Sequence, residues 1–342
     1  MSRSRITVDL AAIRRNAARL RETASPAELW AVVKADAYGH GAVGAARAAL
    51  EGGAAALCVA TAREGEDLRE AFPSARILVM SPLAGGEEAA ARDAGLEIAL
   101  STPDVPEGLN LHLKVDTGMG RWGMTPAEAL ALPRDRVVGV MSHLATAEEV
   151  DESFTRAQIE SFEDVAAAFP GVTAHLANSA GALRFPEARF DAVRCGIALY
   201  GLSPFGDDPA AHGLEPALSW RSYVAQVREL APGESTGYGR RYVAEGTTRI
   251  GIVPIGYADG FRRGLTGTQV LVGTKRRRVV GTISMDALAV ELDDEPAGTE
   301  VTLIGGGILA EEHARVLGTI NYEITCGLSR DRTRTAWSVV GG

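Results

Sequence analysis

Eight short, nearly continuous apolar runs recur between residues 30 and 196, separated by segments of helical periodicity. Strands buried on both faces of a parallel sheet have this pattern. The runs are WAVVKA (30–35), ALCVA (56–60), ARILVM (75–80), LEIALS (96–101), NLHLKVD (110–116), VVGVMSH (137–143), TAHLAN (173–178) and AVRCG (192–196). Eight strands with helical crossovers predict an α/β fold of the (β/α)8 TIM-like barrel type.

Two helix starts carry clear local signals. Leu10, Ile13 and Leu20 recur at helical spacing after Asp9, which we expect to cap that helix. The sequence TPAE at 125–128 has the capping-box pattern with proline at the first helical position.

The connection between the fourth and fifth barrel strands is short. It reads TPDVPEGLN and contains two prolines, whereas a crossover between parallel strands normally takes a dozen or more residues. Either the barrel helix around residues 102–109 is missing, or one of the two strands is wrongly assigned.

After residue 216 the pattern changes to long alternating stretches rich in glycine and threonine, such as SYVAQVREL and RRVVGTISMDALAVEL. This is typical of a mostly antiparallel β domain, with one short helix around EEHARVLG. We therefore expect a barrel domain over residues 10–216 and a C-terminal β domain over 217–342, which residues 1–9 join. The basic run 275–278 is interpreted as a solvated hairpin turn.

Composition narrows the class of function. The chain has 342 residues, 46% of them hydrophobic, and a formal net charge of -9, which argues against a nucleic-acid partner. Its three cysteines are odd in number and far apart, which favours a reducing compartment. The start MSRSRITVDL lacks an apolar signal core, and no stretch approaches the ~20 apolar residues of a membrane span. We expect a cytoplasmic protein with neither a membrane segment nor a metal site.

Polar residues follow the ends of five predicted strands. Active sites of (β/α)8 barrels lie at the C-terminal ends of the strands, so these side chains are candidates for one site. They are Lys34, Asp36, Tyr38, Lys114, Asp116, His143, Asn178, Ser179 and Arg194. Any one of them alone could be a strand-terminal residue reaching water. His112 and His175 alternate with apolar residues inside strands and are interpreted as hydrogen-bonded core histidines.

Three of these features together indicate a cofactor. The amine of Lys34 can form a Schiff base if it loses solvent or gains cationic neighbours. The stretches NSAG (178–181) and CGIALYG (195–201) offer small residues and backbone amides for a phosphate. Arg194 can face a ring nitrogen. This combination predicts a pyridoxal 5'-phosphate site, and no GxGxxG sequence follows a strand to suggest a dinucleotide.

Beyond these patterns, the chain resembles the alanine racemases, a family of fold-type III pyridoxal-phosphate enzymes. The motifs occur in the family's order over nearly the whole chain. They are AVVKADAYGHG (31–41), HLKVDTGMGRWG (112–123), HLATAE (143–148), ANSAG (177–181), VRCGIALYG (193–201), GYADG (256–260), GTISMD (281–286) and INYEI (320–324).

The resemblance implies interconversion of L- and D-alanine by two bases, supplying D-alanine for cell-wall peptidoglycan. Lys34 would hold the cofactor covalently and act as one base. Tyr257 would be the second base, reaching the cofactor of the partner subunit. The resemblance thus implies a head-to-tail homodimer with composite active sites.

Other roles are implied for residues around the cofactor. Arg121 would bind the cofactor's phenolic oxygen and the substrate, and Lys114, typically carbamylated in this family, would position it. His143 would support the ring and Arg194 would sit at the pyridine nitrogen. The phosphate would be bound by Tyr38, Ser179, the amides of Gly196 and Ile197, and Tyr322.

Met285 and Asp286 would lie in the substrate pocket, Met285 through its backbone amide. Two of the assigned residues also have plain structural interpretations. Met285 could be a strand core residue, and Tyr322 could pack from an alternating strand.

Several alternatives stay open. The enzyme could be a broader racemase that also accepts serine, since no pocket residue decides this. A non-catalytic pyridoxal-phosphate carrier of the single-barrel type would share the lysine but lack a β domain with GYADG. A decarboxylase of the same fold type would place an acidic residue where this chain has Arg194. The sequence departs from the family's pattern at the short 102–109 connection, at Glu148, where aspartate is common, and in the tail GLSRDRTRT.

Overall fold

The structure, a computed structural model, describes residues 2–342, and these divide into two compact units. The barrel unit comprises Ala11–Phe205 with Gly213–Glu215. The β unit comprises the segment ending at Leu10, then Gly206–His212 and Pro216–Gly342. Over the described residues, no helix combines the length and the apolar character that crossing a bilayer requires.

The barrel unit is built on eight parallel strands that close into a barrel, as predicted. With β1 (Ser4–Asp9) assigned to the β unit, the barrel strands are β2 (Glu28–Val32), β3 (Ala56–Val59), β4 (Arg76–Val79), β5 (Glu97–Leu100), β6 (Asn110–Lys114), β7 (Val137–Met141), β8 (Thr173–His175) and β9 (Ala192–Cys195). The strands pair in sequence order, and β9 closes the barrel against β2 with Trp30 opposite Arg194. The apolar runs are continuous because both strand faces are buried, as in β3, where every residue is buried.

Helices surround most of this barrel. They are α1 (Leu10–Ala24), α2 (Lys34–Gly39), α3 (Ala42–Glu51), α4 (Ala62–Ala71), α5 (Glu87–Asp93), α6 (Pro126–Leu130), α7 (Ser153–Ala167) and α8 (Ser179–Arg184), with 3-10 turns at Pro186–Ala188 and Ile197–Tyr200. The helix predicted after Asp9 begins at Leu10. The predicted capping box is present: the Thr125 hydroxyl accepts from the Glu128 amide, and the Glu128 carboxylate accepts from the Thr125 amide.

The missing barrel helix is confirmed. Residues 101–109 contain no helix, yet β5 and β6 pair in register from Glu97 opposite Asn110 to Leu100 opposite Leu113. Neither strand is therefore misassigned. The guanidinium of Arg136 donates to the Pro106 carbonyl at 2.6 Å, which fixes part of this connection.

The β unit contains a nine-stranded, mostly antiparallel sheet, in the order β11-β14-β17-β16-β15-β18-β10-β1-β19. Its later strands are β10 (Leu218–Tyr223), β11 (Gln226–Leu230), β14 (Thr248–Val253), β15 (Gln269–Val272), β16 (Lys275–Val280), β17 (Leu288–Leu292), β18 (Glu300–Ile304) and β19 (Thr335–Val340); β12 (Ser235–Thr236) and β13 (Tyr242–Val243) form a separate pair. β1 lies antiparallel to β10 and parallel to β19. Short 3-10 turns span Pro209–His212, Tyr238–Arg240 and Arg263–Leu265.

Two local predictions for this unit are wrong. The INYEI segment is not a strand: α10 (Asn321–Cys326) follows the predicted helix α9 (Ala310–Leu317). Its buried residues Asn321, Ile324 and Thr325 recur at helical spacing, which outweighs the local alternation. The basic run 275–278 lies within β16, directly after the hairpin turn at 273–274. Lys275, Arg276 and Arg278 are exposed, whereas the Arg277 side chain is only 14% exposed and pairs with Glu295.

Candidate active site

The most unusual backbone of the barrel unit directly follows β2. Lys34 comes two residues after the strand ends, and residues 35–38, none of them glycine, all have φ between 51° and 56°. A left-handed turn of this kind costs roughly 1–2 kcal/mol per residue because Cβ approaches the following carbonyl. Strained backbone of this kind persists only where the surroundings hold it, and it clusters at functional sites.

Neighbouring groups hold this left-handed turn in place. The carboxylate of Glu64 accepts from the Ala35 amide at 2.7 Å, and that of Asp36 accepts from the Ala42 amide at 2.6 Å. The His40 ring is stacked on Tyr200, with ring centroids 4.5 Å apart. The turn therefore presents Lys34 from a supported frame.

The same turn brings Tyr38 against the end of β9. Its ring is buried and lies 5.2 Å from the ring of Tyr200. A Cβ atom at Gly196 would lie 2.5 Å from the Tyr38 hydroxyl. Only glycine leaves that space, so the phenol and the peptide of Gly196 share one small cradle.

Ser179 completes this cradle from α8. Its hydroxyl accepts from the Gly196 amide at 3.0 Å, and the Asn178 side chain caps the helix by accepting from the Gly181 amide. Ile197 opens the 3-10 turn that follows Gly196. Two hydroxyls and the turn's peptides at one place fit a phosphate group.

Four cationic side chains surround His143 at the same ends of the strands. Burial and then the positive charges of Arg194, Arg121, Lys114 and Lys34, in that order, hold the pKa of His143 well below its usual range. Such a concentration of positive charge suits a ligand that carries a phosphate and a carboxylate.

Arg194 is buried and firmly oriented. One terminal nitrogen, Nη1, donates to the ring and to the carbonyl of His175, both at 2.8 Å. The other, Nη2, donates to the carbonyls of Ser142 at 2.6 Å and Leu176 at 3.0 Å, and lies 3.2 Å from the His143 ring. None of these contacts uses Nε. The residue therefore keeps a donor that fits a ring nitrogen. Burial lowers its pKa to about 10.

A residue that the sequence reasoning missed, Trp122, links two of the predicted ones. The Lys114 ammonium lies 5.1 Å from the centre of the Trp122 ring and the Arg121 guanidinium 5.2 Å from it. Lys114 also donates to the Met80 carbonyl at 3.2 Å. Burial, and then the charge of Arg194, lowers the pKa of Lys114 to about 8. The signal available in the sequence was the direct succession of Arg121 and Trp122, a cation next to an aromatic side chain.

Three of the predicted site residues, Tyr257, Met285 and Tyr322, belong to the β unit. Tyr257 is 42% exposed, and its amide donates to the Ser284 carbonyl at 3.1 Å. Met285 is 51% exposed in the loop between β16 and β17, so its interpretation as a strand core residue is wrong. Tyr322 lies half-buried on α10.

Arg334, which the sequence analysis did not single out, supports both loops. It donates to the buried Asp259 of the GYADG turn and to Asp286. The Ala258 amide donates to the Met285 carbonyl at 3.2 Å. The two loops that carry Tyr257 and Met285 are thus held to each other by backbone and side-chain contacts.

The interpretation of His112 and His175 as hydrogen-bonded core histidines is confirmed. Both rings are fully buried, and they lie 2.8 Å apart through Nδ1 of His112 and Nε2 of His175. Their line of contacts continues to Arg194, which donates to the His175 ring.

A closed barrel with a lysine, a small cradle of hydroxyls and peptides, and a buried arginine at the ends of its strands, followed in the chain by an antiparallel β unit, is the arrangement expected of the fold-type III class of pyridoxal-phosphate enzymes. Family models agree with this class over both units. The model for the N-terminal domain of alanine racemase matches residues 8–204, and that for the C-terminal domain matches residues 217–336.

Known relatives agree along the full length. The alanine racemase of Symbiobacterium thermophilum is 43% identical over 94% of each chain, and alanine racemase 1 of Bacillus subtilis is 40% identical over 94% of this chain and 90% of its own. The crystal structure of the enzyme from Streptomyces lavendulae superposes with a TM-score of 0.93 at 36% identity, covering 100% of this chain and 98% of its own. That from Bartonella henselae, which carries covalently bound pyridoxal phosphate, gives 0.91 at 28% identity, covering 99% and 100%. The chain belongs to the alanine racemase family, whose members depend on pyridoxal phosphate.

Proposed function

We propose that this chain interconverts L- and D-alanine with pyridoxal phosphate, using Lys34 and Tyr257 as the two bases. The observation that carries the proposal is the left-handed turn after β2. It places Lys34 among the cations around His143 and Tyr38 at the phosphate cradle. A strained turn with these contacts is hard to account for by packing alone.

The residues that the family motifs assign would hold the cofactor. Lys34 would bond it covalently, Arg194 would face its ring nitrogen, and His143 would support the ring side. The phosphate is bound by Tyr38, Ser179, the amides of Gly196 and Ile197, and Tyr322. When bound, the cofactor withdraws electrons from the α-carbon of the amino acid and eases loss of its proton.

Racemisation requires a proton to leave one face of the α-carbon and another to arrive on the opposite face. Lys34 serves one face and Tyr257 the other. Each acts as a base only when deprotonated, and neighbouring positive charges favour the deprotonated form of a group placed among them. In the barrel unit, the positive charges of Arg194, Arg121 and Lys114 act together with that of Lys34 on His143, so this part of the site is rich in positive charge.

Arg194 limits side reactions. A guanidinium, even with its pKa lowered to about 10, stays protonated at neutral pH and donates rather than accepts a proton. A ring nitrogen facing Arg194 would therefore stay unprotonated, which would favour return of a proton to the α-carbon over loss of the amino group.

The substrate is a small amino acid. Arg121 binds its carboxylate and the cofactor's phenolic oxygen, and Met285 and Asp286 line its pocket. Lys114 is the candidate for carbamylation, since a pKa of about 8 leaves a fraction of neutral amine that can react with carbon dioxide. Alanine is the preferred substrate, as the names of the relatives suggest, and serine is the alternative.

The working unit is a head-to-tail homodimer in which Tyr257 of one subunit serves the cofactor bound by the other. Tyr257 and Met285 are both exposed within the single chain, which fits side chains that complete a site elsewhere. We place the enzyme in the cytoplasm, where it supplies D-alanine for peptidoglycan.

Exchange of the α-hydrogen in deuterated water tests this function. Both alanine enantiomers should exchange and interconvert, and the protein should show a visible absorbance band that borohydride reduction abolishes. Lys34→Ala should lose the absorbance band, the exchange of the α-hydrogen and the interconversion of the enantiomers. Lys275→Ala, at an exposed position, should keep all three. A protein with the band but no exchange of alanine would be a cofactor carrier. Faster exchange of serine than of alanine would make it a broader racemase.

A further inference from the structure

A continuous line of polar side chains runs from Arg194 down the inside of the barrel. Arg194 contacts Nδ1 of His175 at 2.8 Å, His175 contacts His112 at 2.8 Å, and His112 contacts the carboxylate of Glu97 at 2.8 Å. Glu97 in turn accepts the single N–H of Arg76 Nε, which is shared between both carboxylate oxygens at 2.9 and 2.7 Å. Glu97 and Arg76 are the first residues of their strands, so the line leads away from the ends that carry Lys34.

The line is packed on one large side chain. The indole of Trp30 lies 4.5 Å from the His175 ring and 5.6 Å from the His112 ring, and the Arg76 guanidinium covers the same indole at 4.6 Å. Both histidines are fully buried. The rings are therefore fixed in position, and water does not compete for their nitrogens.

The chemistry of the two end groups sets the direction of every hydrogen bond. A guanidinium only donates, so Nδ1 of His175 must accept from Arg194. The hydrogen of His175 is then on Nε2 and is donated to Nδ1 of His112. His112 in turn carries its hydrogen on Nε2 and donates it to Glu97. Any extra proton on either ring would set two donors against each other, so both histidines are neutral.

The charges along the line agree with this assignment. Burial, followed by the charge of Arg194, holds the pKa of His175 well below its usual range. Burial also lowers the pKa of His112, although Glu97 opposes it. The pKa of Glu97 is lowered by its contacts with His112 and Arg76, which outweigh the burial that acts in the opposite direction. The line therefore joins a buried cation to an ionised carboxylate through two neutral rings.

We propose that His175, His112 and Glu97 are positioning residues for Arg194. They hold its guanidinium in one orientation and stabilise its positive charge from a distance, so that Arg194 keeps the facing ring nitrogen unprotonated. The inference rests on the proposed function in assigning Arg194 to that nitrogen. The hydrogen-bond directions along the line are independent of it.

Nitrogen NMR of the histidine-labelled, full-length protein as purified tests the line itself. The chain has six histidines. The signals of His112 and His175 are assigned by their loss in the variants His112→Gln and His175→Gln. Both residues should be neutral with hydrogen on Nε2, and they should stay so across neutral pH. A proton on Nδ1 of either ring would overturn the proposal, whether or not the protein racemises alanine.

Kinetics then test the effect on the site. Glu97→Gln keeps the shape of the side chain and removes its charge, and we expect kcat to fall roughly tenfold with little change in KM, the size of effect typical of residues that orient an active group. The fraction of turnovers that end in pyruvate, with the amino group left on the cofactor, should rise.

His112→Gln retains an acceptor and a donor and should keep more activity than His112→Leu. Glu107→Gln, exposed on the next connection, is the matched control.

The two experiments distinguish failure of the proposed function from failure of the positioning role. An inactive wild-type protein that shows the predicted histidine hydrogens would contradict the proposed function and leave the line standing. Unchanged kcat and unchanged pyruvate in Glu97→Gln would overturn the positioning role. If His112→Leu fails to fold, Glu97→Gln and His112→Gln still decide the question. A loss of kcat without extra pyruvate, matched by an equal loss of thermal stability, would mark a structural role and also overturn it.

Discussion

Arg334 donates two hydrogen bonds to the fully buried carboxylate of Asp259, at 2.8 and 3.0 Å. The same guanidinium reaches Asp286 at 2.8 Å, and Asp259 also accepts from the Gly256 amide at 2.9 Å. One arginine of the C-terminal tail therefore ties the turn that carries Tyr257 to the loop next to Met285. Sequence patterns alone gave this tail no role.

Arg334→Gln should destabilise the protein and loosen the Tyr257 turn. It leaves a buried carboxylate without its cation, which typically costs about 3–5 kcal/mol in a fully buried pair and less here because Arg334 is partly exposed. We expect a loss of about 2 kcal/mol in urea unfolding and faster hydrogen exchange at residues 256–260. Arg332→Gln, exposed on the same tail, should change neither. Equal effects in the two variants would show that the Asp259 contact adds nothing.

Ala35→Gly should stabilise the protein. Ala35 is exposed and lies at φ 51°, where glycine relieves about 1–2 kcal/mol of strain and costs about 0.5–1 kcal/mol of unfolded-state entropy. A net gain of about 0.5–1 kcal/mol is expected in urea unfolding. Ala18→Gly, exposed in the right-handed helix α1, should lose about 1 kcal/mol instead. A loss at both positions would contradict the left-handed turn.

Lys114 should take up labelled carbon dioxide in a pH-dependent way. Its pKa is lowered to about 8, and the neutral amine, which is the reactive form, becomes the major form as pH rises through that value. Carbamate at Lys114, detected by carbon NMR with labelled bicarbonate, should therefore increase between about pH 7 and 9. Lys114→Arg should remove the signal and Lys275→Arg should keep it. A signal that persists in Lys114→Arg would exclude this lysine.

Folding stability should fall in acid through His313. Burial lowers its pKa from 6.5 to about 4, so between those values the unfolded chain binds a proton that the folded chain does not. The contribution of neutral His313 to the free energy of unfolding is fully present above about pH 6.5. Below that pH the free energy of unfolding declines toward pH 4 by up to about 1.4 kcal/mol per pH unit. His313→Leu should flatten this slope in urea unfolding. Phe261→Leu, whose ring contacts His313, should lower stability and keep the slope.

The barrel was predictable because its strands are buried on both faces, which makes their sequences continuously apolar. The short connection before β6 could be found for the same reason, since both flanking runs were clear. α10 was missed because Ile320, Tyr322 and Ile324 alternate like a strand, and only its packing reveals the helical period. The left-handed turn could not be predicted, because Ala35, Ala37 and Tyr38 are of residue types that rarely adopt positive φ.

The site was predictable as far as its residues sit in recognisable motifs. Three residues were missed for a physical reason, because each contacts a side chain that is distant in sequence and that the fold brings close. They are Glu97, which contacts His112, Trp122, which contacts Lys114, and Arg334, which contacts Asp259. Glu97 meets His112 because β5 and β6 are neighbours in the barrel. A charged residue at the start of an apolar strand, beside a strand with an internal histidine, was the available signal.

We propose that each active site takes Lys34 from one subunit and Tyr257 from the other. Heterodimers isolated with two different affinity tags test it directly. A Lys34→Ala chain paired with a Tyr257→Phe chain should contain one complete site and show about half the wild-type kcat per dimer.

A wild-type chain paired with a chain carrying both substitutions should contain no complete site and racemise no alanine. If both bases came from the same chain, the two results would be reversed: the first heterodimer would be inactive and the second would show about half the activity. That reversal would contradict the account.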